Sequence, residues 1–199
     1  MEMESKRSIA AIVEEMDKLE KKKQEEDALL DALVRNKLLF TVTGTVLEVQ
    51  VQQLLEKLGF EILESEPGRV DLIVKYGDQP AVLEIKGVGG SSAEKYAAQL
   101  EKWVSTYNVD NEVKPKGILV MNAFKDEELL NRNQDVFPHQ MLAFSVQREH
   151  CLITTLQLLG LYFEILRSPE KKDELIFSLY NTIGVYKGYE DWTQFISTE

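Results

Sequence analysis

Residues 68–86 read GRVDLIVKYGDQPAVLEIK, and the fold turns on this stretch. Val70, Leu72, Val74 and Tyr76 alternate with Asp71, Ile73 and Lys75, the period of two of a half-buried strand. Gly77, Asp78, Gln79 and Pro80 are turn residues. Ala81, Leu83 and Ile85 then alternate with Val82, Glu84 and Lys86. A hairpin is predicted. Pairing Tyr76 with Ala81 sets Asp71 opposite Lys86 and Ile73 opposite Glu84. Asp71, Glu84 and Lys86 then share one face, with the two acidic residues on a diagonal of roughly 7–8 Å. A slip of one residue would send Asp71 to the other face.

Two carboxylates on an otherwise apolar hairpin repel each other and are costly to bury. A hard divalent cation relieves both problems, and Mg²⁺ favours a few carboxylate oxygens with retained waters and phosphates. A lysine beside such an ion orients or deprotonates a water and stabilises charge at a phosphate. The same residues also read as an exposed hairpin face carrying a Glu–Lys pair.

The flanks are helical. Leu47, Val51, Leu54, Leu55 and Leu58 form one apolar stripe, opened by Thr45-Val46-Leu47-Glu48 as a capping-box pattern and stopped by Gly59. A first strand over residues 60–63 and a turn over 64–68 lead into the hairpin. After Lys86, Gly87-Val88-Gly89-Gly90 lacks the spacing of a nucleotide-binding loop; these glycines admit a phosphate or turn the chain. Ser91-Ser92-Ala93-Glu94 is a second capping-box pattern. Tyr96, Leu100, Trp103, Val104 and Tyr107 make a buried stripe, with Lys95, Gln99 and Lys102 beside it. Residues 117–122, GILVMN, read as a central strand reached by a helical crossover and so parallel to its neighbour.

Asp71, twelve residues, then Glu84-Ile85-Lys86, set on a hairpin between two helices, resembles the D…ExK signature of the PD-(D/E)XK nuclease superfamily. The resemblance covers roughly residues 40–155; Val70 stands where the name has Pro. It implies an α/β fold, a restriction-endonuclease-like αβββαβ core whose mixed central sheet is flanked by helices. It implies Mg²⁺, or Mn²⁺, held by Asp71, Glu84 and the backbone carbonyl of Ile85, with Lys86 handling the attacking water. A glutamate on the preceding helix often adds a ligand in this family, and Glu48 matches in position; the capping box gives it another task. A Gln or Lys on the following helix often faces the site. Gln99 is the first choice there and Lys95 the second, and a solvated face accounts for either. The implied activity is phosphodiester hydrolysis in nucleic acid, DNA foremost, in restriction, defence or repair.

Before this body comes an arm, residues 1–39, ahead of a nuclease-like domain at 40–199. The arm has no Gly or Pro and reads as one long helix. Ile9, Ile12, Val13, Met16 and Leu19 repeat at helical spacing, as do Leu29, Leu30, Leu33, Val34 and Leu38, with a charged run at 21–27 between them. Such a helix pairs with a second copy or a partner protein as a short coiled coil, or stays a solvated arm.

Beyond the crossover strand, Asn122 sits at a strand end, Arg132 lies in a polar loop within reach of phosphate or solvent, and helices follow over 139–150, 156–166 and 172–182. Residues 151–154 read as the last strand. Trp192 and Phe195 dock on the core. His139 and His150 have no metal or triad spacing. The single cysteine, Cys151, sits on an apolar strand and suits a reducing compartment. No apolar run resembles a leader or a membrane span, so the expected compartment is the cytoplasm.

The 199 residues carry a net charge of −11. Residues 1–40 contribute −2 and the remainder −9, which is awkward for a protein that grips phosphates. A locally positive cleft, a partner or a substrate other than long duplex DNA would resolve this. The rival readings are a catalytically silent nuclease fold recruited through the arm, and an acidic regulator with no nucleic-acid contact.

Overall fold

The computed structural model describes residues 2–63 and 70–196; the turn expected at 64–68 lies outside them. Side chains are described for these residues except 2–11, 25 and 28–33. The chain divides into two compact units, Met1–Lys37 and Leu38–Glu199.

The described residues of the first unit all belong to α1 (Glu2–Thr41). Its side chains from Ile12 to Leu19 include four large apolar groups, Ile12, Val13, Met16 and Leu19, each more than half exposed.

The second unit is α/β, with one mixed six-stranded sheet flanked by helices. Strands β1 (Glu61–Leu63), β2 (Leu72–Tyr76), β3 (Gln79–Gly87), β4 (Lys116–Asn122), β5 (Cys151–Thr154) and β6 (Gly184–Val185) lie side by side in chain order. The first three are antiparallel and the last four parallel, β3 belonging to both sets. Alternation along each strand explains the layers. On one face Leu72, Val74, Leu83, Ile85, Val120 and Ile153 bury against α2 (Gly44–Lys57), α5 (Thr155–Arg167) and α6 (Lys172–Asn181). On the other, Val82, Leu119, Met121 and Leu152 bury against α3 (Glu94–Asn111) and α4 (His139–Gln147). Leu39 and Phe40, the last turn of α1, belong to the first core. Among the described residues no helix is long and apolar enough to cross a membrane.

Several details differ from expectation. Tyr76 pairs with Gln79, so paired residues sum to 155 and not 157. Gly77, at φ +58, opens a two-residue turn with Asp78, the position at which a type II′ turn takes glycine. Gln79 and Pro80 are therefore strand, not turn. In this ladder Pro80 falls at a position whose N–H faces away from β2, and pairing with β4 begins only at Ala81, so its missing donor costs nothing. The shift is by two residues, which preserves which face each side chain takes.

Neither expected capping box forms. The N-cap of α2 is Thr43, not Thr45, and that of α3 is Ala93; neither makes a side-chain cap. The Thr43 hydroxyl instead donates to the carbonyl of Gly87 at 2.8 Å. A capping box does form at α5, where Thr154 and Gln157 bond reciprocally. Residues 151–154 are not the last strand, since β6 follows and adds to them.

Candidate active site

β2 begins at Leu72, so Asp71 stands just before it. Extending the register by one step places Asp71 across from Glu84, closer than the expected diagonal. One residue further, where Ile85 would meet a backbone partner, its N–H donates to Asp71 Oδ2 at 2.8 Å. The carboxylate thus takes over from the ladder where β2 leaves β3. In the alternation of an antiparallel pair the Ile85 carbonyl faces the same side as its N–H.

Lys86 closes the cluster. Its Nζ donates to Asp71 Oδ2 at 2.7 Å and lies 2.7 Å from Glu84 Oε1. The second contact has ion-pair distance without hydrogen-bond alignment, and among the described residues neither oxygen of Glu84 has a hydrogen-bond partner. Glu84 is 0 % exposed, whereas the Asp71 and Lys86 side chains keep 13 % and 24 %. The sequence placed these three on one face, and the structure brings them together.

Burial dominates the electrostatics. It lifts the Glu84 carboxyl to about 7; Lys86 pulls back against this, and Asp71 adds to the rise. Burial also pulls Lys86 down, but its two carboxylate neighbours outweigh that and leave it above its ordinary value. Lys86 is therefore held as an ammonium, suited to orienting a water and stabilising charge rather than to taking a proton.

Glu48 is half-buried on α2. With no capping box to serve, its carboxyl is raised by burial and by Asp71, against the pull of Lys86. It thus feels the cluster electrostatically, without a hydrogen bond to it among the described residues. Gln99 and Lys95 are exposed on α3, and no described hydrogen bond joins either to the cluster; the Lys95 ammonium lies over the Tyr96 ring.

Arg132 is half-buried and engaged by backbone carbonyls rather than freely solvated. Its guanidinium donates to the carbonyls of Phe40, Ala123, Lys125 and Glu127 and to Asn122 Oδ1, at 3.0 to 3.4 Å. Asn122 in turn donates to the Val42 carbonyl at 2.9 Å. Together they tie the end of β4 to the segment entering α2, and so brace the site from behind.

Two features carried little signal in the sequence. A cavity of about 640 Å³ lies at the carboxyl ends of β4 and β5, with Asn122, His139, Thr155, Lys187 and Trp192 among its walls. Trp192, expected on the core, is half-buried in that wall; Phe195 does dock, against Phe163 and over Gly160. At the opposite end of the strands, buried His150 meets Glu101 at 2.9 Å, and burial lowers its affinity for a proton. Cys151 is core, its thiol pushed up to about 12 by burial.

Compared with protein-family models, with curated proteins and with solved structures, the chain matches none.

Proposed function

We infer that this protein is a divalent-metal-dependent nuclease of the PD-(D/E)XK type, hydrolysing phosphodiester bonds in nucleic acid, DNA foremost. The observation that carries the reading is the convergence of Asp71, Glu84 and Lys86 at the point where β2 parts from β3. The order α2, β1, β2, β3, α3, β4 supports it, being the αβββαβ order of that superfamily.

The residues fit a hard cation. Glu84 is a fully buried carboxylate whose Oε2 has no partner among the described residues, and two carboxylates, with Glu48 as a third nearby, face one ammonium. As placed, the described residues form no ready group of three ligands from His, Cys, Asp or Glu. Asp71, Glu84 and the Ile85 carbonyl would hold Mg²⁺ or Mn²⁺, with Glu48 as an outer ligand. The ion would supply charge to the phosphoryl oxygens and acidify a bound water. Lys86, charged and partly exposed, orients that water and offsets negative charge growing on the phosphate. Asp71 holds Lys86 in place and shares its charge with the Ile85 amide.

The test is cleavage of single- and double-stranded DNA and RNA in Mg²⁺, Mn²⁺ or EDTA. Cleavage is expected to need metal and to fall by at least about a hundredfold in Asp71→Ala and Lys86→Ala, both still folded by circular dichroism. Persistence of full activity in both would overturn the site.

The closed Lys86 ion pairs and the net charge of −11 favour a second reading, a silent nuclease fold that serves as a binding module. Failure of Mg²⁺ or Mn²⁺ to bind, measured by calorimetry, would select it.

A further inference from the structure

The first unit exposes Ile12, Val13, Met16, Leu19 and Val34, each more than half accessible, on a helix that runs unbroken from Glu2 to Thr41. A single helix with such a stripe needs a covering surface. The charged run at 21–27 has the look of an interruption, but the repeat does not break there. Counting 3 and 4 residues alternately gives positions 9, 12, 16, 19, 23, 26, 30 and 33. In heptad terms Ile9, Met16, Lys23 and Leu30 are a positions, and Ile12, Leu19, Glu26 and Leu33 are d positions. One seam runs from Ile9 to Leu33 with one lysine and one glutamate, Lys23 and Glu26, at its middle, and Lys37 is the next a position beyond it. Lys23 and Glu26 are both exposed in the chain by itself.

Those two charges decide the occupant. In a parallel pair each position meets its own copy, so Lys23 would face Lys23 and Glu26 would face Glu26. In an antiparallel pair a faces d. When facing positions sum to 49, Lys23 meets Glu26, Leu19 meets Leu30 and Met16 meets Leu33, each twice by symmetry. Sliding by one heptad to a sum of 42 sets Met16 on Glu26 and Leu19 on Lys23. A sum of 56 sets Lys23 on Leu33 and Glu26 on Leu30. Over residues 16–33 only the central register keeps apolar with apolar and cation with anion; its one mismatch, Ile12 on Lys37, falls at the end of the seam. A polar pair at the seam is the usual device for fixing register and orientation at some cost in stability.

We propose that residues 12–37 are the interface of a homodimer, an antiparallel two-stranded coiled coil with facing positions summing to 49. Val13 and Val34, at e positions, widen its apolar seam, and Ile12 closes it opposite Lys37. At the rim Glu20 lies near the second copy's Asp27; this like pair is solvent-screened and is offset by Lys23 at the adjoining seam position. The proposal is independent of what the second unit catalyses.

The full chain tests it. Light scattering is expected to give twice the 22.8 kDa chain mass at tens of micromolar. Lys23→Glu or Glu26→Lys alone sets like charges face to face, and the dimer constant weakens by about tenfold or more. The double exchange Lys23→Glu with Glu26→Lys restores it to within about threefold. A parallel pair would show no such loss and rescue, because like charges face each other in every variant. Cysteines give a second readout that does not depend on affinity. Leu19→Cys with Leu30→Cys is expected to cross-link two chains on oxidation, whereas Leu19→Cys alone is not, its two copies lying about 16 Å apart along the axis. A monomer at these concentrations, a dimer indifferent to the charge exchange, or cross-linking by Leu19→Cys alone each overturns the proposal.

Discussion

At the scale of single residues, Glu84 is where the electrostatics can be read from outside. Its folded carboxyl titrates near 7, chiefly through burial, against an ordinary 4.5. Between those values the folded protein holds a proton that the unfolded chain has released. Stability therefore falls as pH rises through this window and levels off above it. In EDTA the melting temperature is expected to decline between pH 5 and 8. Glu84→Gln removes the buried charge, flattens that decline and is the more stable protein at pH 8, by on the order of 2–3 kcal/mol. A slope unchanged by the substitution would show that another group titrates there. The sequence made these residues legible because the period of two puts 71, 84 and 86 on one face under either register. It could not show that Lys86 is locked between both acids, because that depends on β2 starting at Leu72, which leaves Asp71 just outside the strand. Arg132 was illegible for a related reason. A loop arginine is ordinarily solvated, and nothing local reveals that four carbonyls from 40 to 127 converge on it.

At the scale of elements, local patterns were a good guide to what forms and a poor guide to where it starts. Thr45 with Glu48 has the spacing of a cap, but the helix opens two residues earlier, because Thr43 is engaged by the end of β3. That engagement explains Gly87 better than a phosphate does. A Cβ at Gly87 would lie 2.9 Å from the Thr43 side chain and from the Val42 carbonyl. Only a glycine lets the start of α2 sit this close to the strand that carries Glu84 and Lys86. Gly87→Ala is expected to push the two apart and move Glu48 away from the cluster. Activity should fall at least tenfold while the melting temperature drops by only a few degrees. Gly77→Ala is the control. It meets no atom within 4 Å and costs about 1 kcal/mol for its positive φ, with turnover unchanged. Equal losses of activity in the two variants would mean that Gly87 has no special bearing on the site.

At the scale of the whole molecule, composition speaks to association rather than to fold. A net charge of −11 repels nucleic acid at long range, and most of it lies beyond residue 40, with the candidate site. Many of the cations of this unit are already committed. Lys86 pairs with two acids, Lys114 with Glu149 and Lys125 with Asp126, while Lys116 and Arg132 are spent on carbonyls. On the proposed nuclease reading, affinity would come from a few contacts at the proposed metal site and from burial of a strand end or unstacked nucleotide, for which the cavity of about 640 Å³ at the ends of β4 and β5 has room. This has a measurable signature. For a protein touching 6–10 phosphates the slope of log affinity against log salt is steep, about −0.9 per contact. Here, with Lys86→Ala in Mg²⁺ to hold substrate uncleaved, the slope between 50 and 200 mM NaCl is expected to be shallower than about −3. Chelating the metal should weaken binding at least tenfold, and single strands should bind more tightly than duplex of the same length. A slope near −8 that survives chelation would overturn this reading and point to a basic face that grips the duplex backbone.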